Sequence, residues 1–256
     1  MYWKDTWTFK ESVEYEFKWA GQYGAKGEKR QKKLKATPDQ IKKQNQYQKE
    51  KKIRRLIKAN FKEHDFWCCL KYPKGTRKPL DEVKKDLAKF LRRLRRDYKK
   101  KDNDLKFIYR VEIGSRGGIH IHFLCNRTKG DPATDIIIQS AWEYGRVNFQ
   151  TLYDSGGYDN LAKYIVKKPN DEQDEQMSMF PEEEKKELVK YSSSRNLIRP
   201  EPERKIYKRW TLKKVINEGI KPREGYYIDK DSIVQGVNPY TGFSYLQYTE
   251  VKIKSG

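Results

Sequence analysis

The chain is short of the residues that staple folds or ligate metals: of 256 residues, three are Cys and three are His. Cys68, Cys69 and Cys125 form no Cys-x-x-Cys pair and no even framework, so they read as reduced, buried residues of a cytoplasmic protein. No apolar run approaches the length of a bilayer, and the N-terminus has no signal-peptide core, so neither membrane insertion nor secretion is expected. A Gly-x-x-x-x-Gly-Lys-Ser/Thr loop is missing, which excludes a built-in helicase motor of the P-loop kind. No internal repeat is visible. Acidic residues are also scarce: 36 Asp and Glu stand against 57 Lys and Arg, a formal charge of +21. Such an imbalance attracts polyanions and favours salt-sensitive encounter with nucleic acid.

Aromatic residues are plentiful, with 18 Tyr and 6 Trp, and flat rings among cations suit unpaired bases. The composition changes in blocks. Residues 1–63 read as an aromatic and basic N-terminal arm, with a short strand or two before residue 25. From Lys26 to Lys58 there are 14 basic and 3 acidic residues. Thr37-Pro38-Asp39-Gln40 is a helix start, with Thr37 and Gln40 as a capping box, and Ile53, Leu56 and Ile57 give that helix a short apolar face. Its remainder is polar all round, as expected of a solvated arm or one resting on DNA.

Residues 64–170 read as a compact α+β core: a central antiparallel sheet flanked by helices. Phe66–Tyr72 is a buried strand. Asp81 is expected to cap a helix whose apolar stripe is Val83, Leu87, Phe90, Leu91, Leu94 and Tyr98. Two strands, Phe107–Ile113 and Ile119–Leu124, are joined as a hairpin through Gly114–Gly118. A helix over Thr134–Tyr144, a strand over Val147–Gln150 and a helix over Tyr158–Lys168 follow. Between Asp171 and Glu187 lie eight acidic and two basic residues, so 171–190 reads as an acidic linker. Residues 191–256 form a C-terminal appendage, with a helix after Trp210 and a closing strand from Phe243 to Ile253.

The chemistry concentrates in the hairpin. Strand alternation puts His120 and His122 on one face of Ile119–Leu124, and two neutral imidazoles can grip one divalent cation. If the hairpin is symmetric about Arg116, Glu112 lies opposite His120 on that same face. A buried strand Glu is rare unless it is paired or ligates a metal. A bland alternative has Glu112 bonded to Arg110 or to lysines. Downstream, Leu161-Ala162-Lys163-Tyr164-Ile165-Val166-Lys167-Lys168 sets Tyr164 and Lys167 one helical turn apart. A phenol with a pKa of ~10 needs help as a nucleophile, and a nearby ammonium would supply some of it.

A basic strand, a Glu followed eight residues later by His-hydrophobic-His, and a downstream helix with Tyr-x-x-Lys together resemble the HUH endonucleases. The resemblance implies that His120, His122 and Glu112 bind Mg²⁺ or Mn²⁺, that Tyr164 attacks the scissile phosphate and that Lys167 is the motif lysine. It implies an HUH, RRM-like sheet core with the basic helical arm and the appendage added to it. Because the tyrosine follows the His pair, the closer likeness is to rolling-circle replication-associated proteins of bacterial phages and mobile elements. Ser194-Arg195-Asn196-Leu197 and the basic capped helix also resemble that group. Where some phage initiators carry a first tyrosine, this chain has Asn160, which leaves Tyr164 alone. The implied partners are single-stranded origin DNA, hairpin forms of it included, and a host helicase and polymerase in a bacterial cytoplasm. Lys163, Lys168, Arg116, Lys51, Lys52, Arg54 and Arg55 are expected to contact DNA. Two rival readings are a single-tyrosine HUH transposase and a non-catalytic nucleic-acid-binding protein. A zinc hydrolase is disfavoured, because no His-x-Asp-His follows His122.

Overall fold

A computed structural model describes residues 1–21, 29–114, 117–152, 158–168, 177–178, 190–208 and 212–253, together with 181, 184, 185 and 188. Arg116, at the centre of the hairpin turn and expected to contact DNA, lies outside the described residues, as does Tyr153. In chain order the elements are β1 (Tyr2–Thr8), β2 (Ser12–Trp19), α1 (Pro38–Asn60), β3 (Phe66–Lys71), α2 (Leu80–Lys99), β4 (Phe107–Ile113) and β5 (Ile119–Cys125). They continue with α3 (Thr134–Ala141), β6 (Arg146–Thr151), α4 (Asp159–Val166), β7 (Tyr191–Ser193), β8 (Glu203–Tyr207), α5 (Leu212–Glu218), β9 (Tyr226–Asn238) and β10 (Phe243–Lys252). The fold is α+β with two five-stranded antiparallel sheets. Among the described residues no helix is long and apolar enough to cross a membrane.

Two compact units follow limits other than those of the stretches 1–63, 64–170, 171–190 and 191–256. One comprises residues 1–45 and 199–256, the other 46–198. The reason is strand pairing. In the first unit the sheet order is β8-β1-β2-β10-β9, so the N-terminal hairpin is completed by strands from the far end of the chain. The basic segment before α1 is tied to the same unit. The amides of Gln31 and Leu34 donate to the carbonyls of Gly242 and Pro239, and the Arg30 guanidinium lies 5.3 Å from the Trp19 ring centroid. The expected capping box at the start of α1 is present: Gln40 N–H donates to Thr37 Oγ1 at 3.3 Å and Thr37 N–H donates to Gln40 Oε1 at 2.9 Å.

The second unit holds the sheet β6-β3-β5-β4-β7. Alternation gives it two apolar faces. Phe66, Cys68, Leu70, Phe107, Val111, Ile113, Ile119, Ile121 and Phe123 turn towards α2 and α3. Ile108 and Leu124 turn the other way, towards Ile53, Leu56 and Ile57 of α1 and Ala162, Ile165 and Val166 of α4. The end of α1 is therefore core, and not a solvated arm.

Several boundaries differ from the sequence reading. The residue that caps α2 is Pro79, without a side-chain bond, and Asp81 sits in the first turn. Helix α3 stops at Ala141 because Trp142 leaves helical geometry to bury its indole, whose N–H donates to the Lys71 carbonyl at 3.3 Å. Within the acidic stretch read as a linker, Met177 and Leu188 are buried in the core beside α2 and α3. Those two apolar side chains have a destination that the surrounding charge obscures.

Candidate active site

The site is built on the face of the second sheet that meets α1 and α4. The β4–β5 register sets Glu112 opposite His120 and Arg110 opposite His122, and β3 adds Lys71 beside His120 and Cys69 beside His122. Helix α4 lays Tyr164 across this face. The Tyr164 hydroxyl donates to Glu112 Oε2 at 2.8 Å and lies 2.8 Å from His122 Nε2. His122 Nε2 is itself 2.9 Å from Glu112 Oε2, and the Lys167 ammonium meets Glu112 Oε1 at 2.5 Å. Residues from three distant stretches of sequence thus converge on one carboxylate.

Lys167 reaches this carboxylate by a route other than the expected one. Helix α4 ends at Val166, and Lys167 is its C-cap with extended geometry, ψ 145°. Tyr164 is accordingly in the last turn, not at mid-helix. The Lys168-Pro169 step in the sequence favours this early stop, since the residue before a proline is driven out of the helical region. Leaving the helix lets the Lys167 chain fold back, with its ammonium 4.4 Å from the Tyr164 ring centroid.

Arg110 fixes the helix end, and the sequence reading gave it no such part. Its side chain is 2% exposed, and Nη1 donates to the carbonyls of Tyr164, Ile165 and Lys167 at 3.2, 3.1 and 2.7 Å. The last carbonyls of a helix lack intrahelical partners and carry the negative end of its dipole, so a buried guanidinium is a strong anchor there. Gln46 of α1 adds a bond to the Val166 carbonyl at 2.9 Å. Burial draws the Arg110 pKa below its ordinary value, opposed by Glu112 and Tyr164. The signal available in the sequence was its spacing: Arg110 is two residues before Glu112 on one strand, hence on the same inward face.

Trp67 is a second unanticipated member. Its ring stacks on His122, with centroids 5.5 Å apart and 15° between planes, and it meets Tyr164 edge-on. The imidazole is thereby held between a tryptophan face and a phenol.

Burial pushes the Tyr164 phenol well above its usual range, and the hydrogen bond to Glu112 and the charge of that carboxylate push it further. In this arrangement it is a neutral donor. His120 is held below its ordinary value by burial, Lys71 and His122, with Glu112 opposing, so its ring nitrogens stay neutral. His120 also packs over Gly114: a Cβ at that position would stand 2.8 Å from His120 Cε1.

The donor chemistry fits a divalent cation: two imidazoles, one of them held neutral, a carboxylate, and a buried His122 Nδ1 that has no hydrogen-bond partner. The present rotamers do not gather them. Among the described residues no group of three or more His, Cys, Asp or Glu is arranged to hold a metal. Glu112 is turned to Lys167, His122 and Tyr164, while His120 lies over Gly114.

The basic residues expected at the DNA separate into groups. Lys52, Lys163 and Lys168 are exposed. Lys51 is buried, its ammonium 4.8 Å from the Tyr47 ring centroid, and Arg54 is bonded to Asp159 at 2.7 Å. Arg55 is half-buried. Lys51 and Arg54 are thus engaged within the second unit.

The stretch that supplies this geometry has relatives. Residues 65–169 match a family model of replication-associated proteins, the ORF2 family. The matched segment is less than half of the chain, but it runs from the start of β3 to just past α4 and contains Arg110, Glu112, His120, His122, Tyr164 and Lys167. No curated protein and no solved structure matches the chain. The family match supports a replication initiator and DNA-related partners.

Proposed function

We propose that the protein is a rolling-circle replication initiator that nicks single-stranded DNA through Tyr164 and rejoins ends later. The observation that carries this reading is the Tyr164 hydroxyl, 2.8 Å from both Glu112 and His122, on residues far apart in sequence. In the proposed reaction the Tyr164 oxygen attacks the scissile phosphorus, and the bond to the 3′ oxygen breaks. The 5′ phosphate stays on Tyr164, and the departing strand end takes a proton to become a 3′ hydroxyl. The phenol proton leaves along the hydrogen bond to Glu112 Oε2. Lys167, paired with Glu112 at rest, supplies positive charge beside the phosphate once the carboxylate is engaged. His120, His122 and Glu112 would hold Mg²⁺ or Mn²⁺, which when bound polarises the phosphate and offsets charge on the transferring group. Arg110 keeps the helix end, and with it the nucleophile, in register with the sheet.

The test is to incubate the protein with labelled single-stranded DNA and Mn²⁺ and resolve denaturant-resistant adducts. Tyr164→Phe is expected to form none while keeping its affinity for DNA, and excess chelator is expected to give the same loss. Tyr158→Phe should retain the adduct, because Tyr158 is the buried residue ahead of α4, at φ 66°. An adduct that persists in Tyr164→Phe sinks the assignment.

A further inference from the structure

The opposite side of the same sheet carries a second charged feature that the reaction does not use. Residues 80–100 include nine Lys and Arg against four Asp and Glu. All four acids are engaged: Asp81 with Lys84, Glu82 and Asp86 with Lys78, and Asp97 with Arg96 and Lys100. Lys85, Lys89, Arg92 and Lys99 are exposed and form no ion pair among the described residues. Their spacing of four, three and seven positions keeps them on one helical stripe, about 21 Å long at about 1.5 Å per residue.

The stripe ends in a cleft of about 830 Å³. Arg95 and Lys99 of α2 form one wall, and Ser193, Arg195 and Asn196 form the other, where the chain leaves β7. This wall is firmly built. Ser194 Oγ accepts from the Phe107 amide at 3.1 Å, Ser194 N–H donates to the Phe107 carbonyl at 2.9 Å, and the Asn196 amide donates to the Leu105 carbonyl at 3.2 Å. The Ser-Arg-Asn-Leu segment, which no step of the reaction uses, thus faces the end of α2.

We propose that the outer face of α2 and this cleft form a second DNA-binding surface that takes the backbone of duplex DNA. Duplex is favoured over single strand because the stripe offers no stacking platform. The aromatic side chains of α2, Phe90 and Tyr98, are fully buried, whereas single-strand grooves combine cations with exposed rings. Exposed Lys and Arg with Ser and Asn at one end are the groups that contact phosphates and fix register without reading bases. The length matches about six base-pair steps at about 3.4 Å each. The surface lies across the sheet from Tyr164: Phe107, Val111, Ile119, Ile121 and Phe123 point to α2, whereas Glu112, His120 and His122 point away. Duplex bound there leaves the tyrosine face open to a single strand. The ligand class, DNA, rests on the function proposed above, but the surface does not depend on the nicking chemistry.

The experiment compares the full chain with the Lys85→Ala/Lys89→Ala/Arg92→Ala variant and, separately, Arg195→Ala. Affinity for a blunt duplex and for a short single strand is measured across a salt series. The triple variant is expected to flatten the duplex log–log slope by about 2.7, at about 0.9 per phosphate contact. Arg195→Ala should flatten it by about 0.9. Single-strand affinity and Tyr164 adduct yield on a short single strand should stay at wild-type level. An unchanged duplex slope overturns the proposal, as does an equal loss of duplex and single-strand affinity. Because binding is read without cleavage, a protein that never forms an adduct would still decide this question.

Discussion

At the scale of single residues, the candidate site depends on who holds whom. Glu112 is the common partner of Tyr164, His122 and Lys167, and it is 6% exposed. Arg110 touches none of these functional atoms, yet it binds the backbone on both sides of the nucleophile. Arg110→Met keeps much of the buried volume and removes the three bonds to α4 carbonyls. The expected outcome is a protein that folds, with stability lower by about 1–3 kcal/mol for the carbonyls left without partners. Adduct formation should slow by about 100-fold, the size of effect that a small displacement of a reacting group produces. DNA affinity should change little. Measuring adduct rate and affinity side by side separates this positioning role from loss of fold, and an unchanged rate would show that α4 is held by packing alone.

At the scale of elements, the sequence was most legible where periodicity and hydrogen-bond geometry act locally. The alternation of β5 put His120 and His122 on one face, and hairpin symmetry put Glu112 opposite His120; both are the observed register. The stripe of α2 and the Thr37–Gln40 box were readable for the same reason. What escaped depends on partners far along the chain. Strand β7 exists because it pairs with β4, and β8 because it pairs with β1, although neither has an apolar run of its own. The end of α4 was misread because an arginine 54 residues earlier takes the Tyr164 carbonyl. Asp5 shows the same kind of long-range tie. It is 1% exposed and receives two bonds from Arg204 of β8, at 2.6 and 2.9 Å, and an ion pair from Lys18 of β2 at 2.8 Å. Burial pushes its carboxyl up, but the bonds from Arg204 and Lys18 outweigh this and leave it below its usual range. A folded-state pKa below the unfolded one means that the unfolded chain binds the proton more readily. The stabilisation is therefore present above the ordinary carboxylate value, about 3.9, and is lost as pH falls through the lower folded value. Asp5→Asn should lower stability at neutral pH by about 1–3 kcal/mol, and in the variant the acid-dependent part of the loss should shrink. Denaturant titrations of both proteins across the acid range check this, and parallel pH profiles would refute it.

At the scale of the whole molecule, the formal charge of +21 is distributed over surfaces with different work to do. Part of it is consumed internally: Lys51 and Arg54 in the second unit, Arg204 and Lys18 in the first. Part lies on the outer face of α2. A third part is the segment leading into α1, where Lys32, Lys33, Lys35 and Lys43 are exposed. Removing residues 1–58 would be a poor probe of that segment, because it also strips β1 and β2 from a sheet that closes on β10. Neutralising the four lysines to Gln leaves every strand in place, including the backbone bonds from Gln31 and Leu34 to Gly242 and Pro239. If all four neutralise phosphates on a single strand, the log–log salt slope should flatten by about 2.8, at about 0.7 per contact. The adduct at Tyr164 should still form at low salt, since none of these lysines belongs to the site. A slope that does not move would assign the segment to folding of the first unit, and a lost adduct at saturating DNA would mean that its charge acts on the chemistry itself.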